Sequence, residues 1–179
     1  MDTVEQASPS APPPQSSTAA LKLHKRGFAA GTVGAATIAL WFLLLDVIHG
    51  HPLFTPTVLG TAAFKGVMAL TAVEKIPVSF DVVIGFTFVH WLSFAALGCI
   101  SSQIFVLAER NPQLDFGVIV LFIMVFLAFE FGFLAATTTF ASPLLQALAW
   151  PTATILIGNL LAVVAMGFYL WHWYPHPTA

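Results

Sequence analysis

The sequence predicts an all-α integral membrane protein: a four-transmembrane-helix bundle with an interfacial amphipathic helix between spans one and two. Three observations predict it. Hydrophobic residues make up 58% of the chain and charged residues only 8%, against about 25% charged in a soluble domain. Five of the charges (Asp2, Glu5, Lys22, Lys25, Arg26) fall in the first 26 residues, so the remainder is too sparse to cover a water-facing globule. Four apolar runs, Phe28–Ile48, Val82–Ala108, Phe116–Thr138 and Leu148–Trp171, reach the roughly 20 residues a helix needs to cross a bilayer core. This composition excludes a soluble globular enzyme. Six basic residues against eight acidic ones give no footprint for nucleic acid. The single cysteine, Cys99, excludes a disulfide framework, a Cys-rich zinc site and dithiol redox chemistry.

Residues 1–26 hold the stretch SPSAPPPQSSTAA and then the basic cluster Lys22, Lys25, Arg26. So Pro/Ser/Ala-rich a segment has too little apolar surface to offset the entropy of ordering, and it is expected to be a disordered cytoplasmic tail. The bundle domain is 27–174, and 175–179 form a short second tail. Span one follows a long polar segment and is long enough to cross, which reads as an uncleaved helix and not as a secretory leader. Along it Gly27, Gly31, Ala35 and Ala39 recur every fourth residue, the small-residue spacing that lets helix backbones approach closely.

Thr55-Pro56 marks a helix start, because Thr caps and Pro at the first helical position loses no needed hydrogen bond. The apolar and small residues that follow suggest a helix over 56–74, stopped by Pro77. Lys65 falls near its middle, where a charge costs roughly 2.5–3.5 kcal/mol to bury in hydrocarbon. The segment is therefore read as interfacial and not as a fifth span. Spans two and four contain no Asp, Glu, Lys or Arg, and spans one and three carry one acid each, Asp46 and Glu130. Glu109-Arg110-Asn111-Pro112 is a polar turn between spans two and three, and Ala141-Ser142-Pro143 with Trp150-Pro151 marks the last connection.

With four spans, Lys22, Lys25, Arg26 and Arg110 share one side and Lys65 and Lys75 the other. The excess of basic residues places both termini in the cytoplasm of a plasma or bacterial inner membrane.

Ionisable groups inside hydrocarbon are functional-site candidates by default. Asp46 lies near the outer end of span one. His90 is eight residues into span two, about 12 Å deep, and Glu130, eight residues before the end of span three, is level with it. Asn159 is eleven residues into span four, about 16 Å down. Asp46, His90, Glu130 and Asn159 thus make a candidate intramembrane polar cluster in the outer half of the bundle, with His49 just above.

Three readings of these residues follow. In the first they are helix glue, for example a protonated Glu130 donating to His90 or Asn159, in interhelical bonds worth about 0.6 kcal/mol each. In the second, Asp46, His49, His90 and Glu130 are a carboxylate–imidazole set for a transition metal or haem. Its only local motif is one D-x-x-H, and a His90→Ala change is expected to abolish any metal or haem signal. In the third, Glu130 and His90 relay protons, ions or small solutes, and a flux indifferent to Glu130→Gln would exclude that role.

No nucleophile–base pair, phosphate loop or nucleotide motif is present, so no catalytic residue is assigned and no cofactor is expected. The leading reading is a non-catalytic multi-pass protein, an accessory or assembly subunit of a membrane complex or a homo-oligomer. Its partners are the lipid bilayer and another membrane protein or a second copy.

Overall fold

The structure, a computed structural model, describes residues 15–66, 70, 77–109, 120, 123–128, 130–132, 135 and 152–173. Among these there is no strand. The helices are α1 (Gln15–Ile48), α2 (Phe54–Lys65), α3 (Phe80–Glu109), a shorter apolar α4 (Ile123–Gly132) and α5 (Thr152–Trp173). Within them, Leu21–Ile48, Phe80–Leu107 and Ala153–Trp173 are long and apolar enough to cross a membrane. That is three spans where the sequence predicts four. Of the expected third span, 116–138, 12 of the 23 residues lie outside the described residues, and the described part of α4 is shorter than a span.

The outward surfaces suit hydrocarbon. Leu40, Leu44 and Ile48 on α1, Ile84, Phe88 and Leu92 on α3, and Leu160, Val164 and Phe168 on α5 are all exposed. Stripes of this kind are not left open to water by a soluble monomer.

α1 is the central helix, packed against α3, α5 and α2. Its glycines set the α1–α3 crossing. A Cβ on Gly27 would lie 2.6 Å from the Cys99 Cα, and one on Gly31 would lie 2.7 Å from the Ala95 Cα. Higher up, the Trp91 indole N–H donates to the Thr32 hydroxyl at 3.1 Å, and Trp91 meets Phe28 edge to face. Residue numbers rise along α1 as they fall along α3, so the two helices are antiparallel.

The same holds for α5. Ala35, Ile38, Phe94, Ala162 and Met166 form a buried cluster, while the Trp41 indole N–H donates to the Thr154 carbonyl at 3.1 Å. Both α3 and α5 therefore run opposite to α1 and in the same direction as each other. The start of α1 and the finish of α5 lie at one end of the bundle. Of the four small residues expected to pack on this helix, Gly27, Gly31 and Ala35 are buried and Ala39 is exposed.

Two boundaries and one face differ from the sequence reading. α1 begins at Gln15, so 15–26, assigned above to a disordered tail, are helical. Ala19, Ala20, Leu21 and Lys22 are strong helix formers, and the span behind them supplies a nucleus to propagate from. α2 ends at Lys65 and not at residue 74, because Gly66 takes φ +83° at its C-terminal cap. Lys65 is thus an exposed terminal residue beside the negative end of the helix dipole and not a charge at a helix centre. Nor is α2 amphipathic as expected, since it buries Thr55, Thr57, Val58, Gly60 and Thr61 and leaves Phe64 exposed. Gly60 lets it approach Val82 and Phe86 of α3.

Candidate functional site

The site grows from the turn after α1. Gly50 adopts φ +78° and Leu53, unusually for a non-glycine residue, φ +65°. These two left-handed residues fold the chain back within five positions, and the His51 N–H donates to the Asp46 carbonyl at 2.9 Å. The reversal sets the first turn of α2 beside the last turn of α1. The Asp46 carboxylate then takes two hydrogen bonds from Thr55: the backbone N–H at 2.8 Å and the hydroxyl at 2.7 Å.

Asp46 is 1% exposed, and its position is explained by what a helix start lacks. The first N–H groups of a helix have no partner within it, and the dipole there favours a negative charge. Leu53, the residue preceding α2, offers no side-chain cap. Asp46 supplies that cap from the preceding helix. Thr55 was expected to cap with its own side chain, and its hydroxyl is turned to Asp46 instead.

His49 does not share the buried face of Asp46. α1 ends at Ile48, and His49 sits exposed in the turn with its Nδ1 2.8 Å from the Leu45 carbonyl oxygen. That carbonyl belongs to the last turn of α1 and also accepts the His49 backbone N–H at 3.0 Å. His90 stacks along its own helix between Phe86 and Phe94, with ring centroids 6.0 and 4.8 Å away. Glu130 of α4 accepts a hydrogen bond from the Asn159 amide of α5 at 2.9 Å, and Asn159 is buried.

The four polar residues are therefore distributed in two pairs and a single ring, Asp46 with Thr55, Glu130 with Asn159, and His90 among phenylalanines. Asp46, His49, His90 and Glu130 are not brought together as ligands. Among the described residues no three His, Cys, Asp or Glu side chains group as a metal site.

A cavity of about 460 Å³ lies between α1, α2, α3 and α5. Ala36, Ala39, Leu43, Leu59, Phe86 and Ile155 supply apolar wall, while Thr55, Thr87, His90 and Asn159 bring polar groups to it. His90 of α3 and Asn159 of α5 thus both line the cavity, and Thr55 on its wall is bonded to Asp46. Sequence reading missed Thr55 as a member of the site. The available signal was a threonine at a helix start nine residues after a buried acid. Ala39 belongs to this wall and not to a helix contact, as its exposure indicates.

No family model, curated protein or solved structure matches the chain.

Proposed function

We propose that this is a non-catalytic multi-pass membrane protein that works by lateral association, as an accessory or assembly subunit of a membrane complex or as a homo-oligomer. The observation that carries this reading is the pairing of the intramembrane acids. Asp46 is engaged by Thr55, and Glu130 by Asn159. Both carboxylates hold one helix to another, which is the role of glue. Among the described residues every fully buried side-chain nitrogen and oxygen has a hydrogen-bond partner.

The shared direction of α3 and α5 supports a returning span between them, and hence the four-span topology. The basic residues Lys22, Lys25 and Arg26 in the N-terminal part of α1 favour placing both termini in the cytoplasm.

Crosslinking in native membranes, followed by purification in a gentle detergent, tests the reading. A stoichiometric membrane-protein partner or a self-crosslinked oligomer is expected. A chain that stays monomeric and alone in both experiments would overturn it. The glue role has its own check. Glu130→Gln keeps an acceptor for Asn159 and is expected to leave the thermal midpoint nearly unchanged. Glu130→Leu is expected to lower stability by about 0.6–2 kcal/mol. A proton or ion flux lost in Glu130→Gln would instead favour a relay.

A further inference from the structure

The polar groups on the cavity wall are not alike. Thr55 is held by Asp46 and Asn159 by Glu130. Thr87 and His90, three residues apart on one face of α3, have no hydrogen-bond partner among the described residues although both line the cavity. His90 is ten residues into α3, about 15 Å from its start, which is near the middle of a hydrocarbon core about 30 Å thick. A polar group at that depth without a partner is unfavourable, and water is not at hand to supply one.

The geometry points to this cavity as a binding site for one uncharged, membrane-dissolved amphiphile, an apolar body bearing a carbonyl or hydroxyl group that hydrogen-bonds to His90. The size fits, since pockets for small molecules span about 300–1,000 Å³, with mostly apolar walls and a few placed polar groups. The charge fits too, because among the described residues no Asp, Glu, Lys or Arg lines the wall. A phospholipid keeps its ester and phosphate groups at the interface, so its chains bring nothing to His90. A partner helix is too bulky, because a single turn, about 5.4 Å long and 10–12 Å across, would already fill the space. Entry lies alongside Ala36, Ala39 and Leu40, which are exposed on α1.

Photolabelling of the full chain in phosphatidylcholine nanodiscs tests the site, with a diazirine-bearing sixteen-carbon alcohol as the probe. Saturable labelling is expected on the cavity residues of α1, α2 and α3. Unlabelled hexadecanol should displace it, and hexadecane and palmitate should do so about tenfold less well. His90→Leu should raise the half-saturating concentration about three- to tenfold. Ala39→Phe fills the cavity from an exposed wall position and should abolish saturable labelling. This second variant keeps the test decisive if His90→Leu fails to fold. Labelling spread over the lipid-facing stripes, labelling that Ala39→Phe leaves unchanged, or hexadecane competing as well as hexadecanol would each overturn the assignment.

Discussion

Asp46 does its work on the next helix. Its two hydrogen bonds from Thr55 satisfy a backbone donor that has no partner within α2 and a hydroxyl buried beside it. Asp46→Ala is expected to lower stability by about 1–3 kcal/mol, because the two hydrogen bonds it accepts from buried Thr55 are then lost. Asp46→Asn keeps one acceptor and should lose less. Denaturant unfolding in mixed micelles distinguishes the two, and equal losses would mean that the carboxylate is not acting as the cap. At this scale the sequence was half legible. An acid inside an apolar run marks itself, so Asp46 and Glu130 stand out at once. Their partners do not, because the approach of Thr55 depends on the left-handed Leu53, and nothing in a leucine announces a positive φ. The pairing of Glu130 with Asn159 was more accessible, since both sit at comparable depths in their helices.

The elements were legible where bilayer thickness dictates their length. Spans one, two and four of the sequence reading correspond to α1, α3 and α5, with ends shifted by a few residues, apart from the extension of α1 back to Gln15. What failed was α2, whose pattern was read through Gly66 as continuous helix. Hydropathy does not change there, whereas the backbone does. The spacing of Gly27 and Gly31 also marked a packing face, although only the structure gives its opposite number, Gly98 on α3. A Cβ on Gly31 collides with the Phe94 carbonyl oxygen, and backbone gives way less readily than a side chain. Gly31→Val is therefore expected to cost about 1–3 kcal/mol by forcing α1 and α3 apart. The thermal midpoint of the purified variant reports it, and an unchanged midpoint would mean the helices do not meet there.

For the whole molecule, the antiparallel relation of α1 to α5 puts the start of α1 and the finish of α5 at one end of the bundle. A reporter that is active only in the cytoplasm, fused in turn to each end, should give the same reading twice, and activity at both ends is expected from the basic cluster in the N-terminal part of α1. Opposite readings would break the topology. This level was legible in part. Counting spans and basic residues predicts where the ends lie, but it does not reveal that one helix serves as the common wall for the others.

The central place of α1 sets an order in time. Of the described helices it is made first, yet its contacts with α5 await the last of them to leave the ribosome. Until then the groove at Gly34 stays open where Met166 will sit, and the Trp41 indole N–H lacks the Thr154 carbonyl. A nascent chain that stops before Thr152 carries an α1 with one side finished and the other bare to lipid. Completion of the bundle is thus registered on the earliest-made of the described helices, whose bare side closes only when α5 arrives.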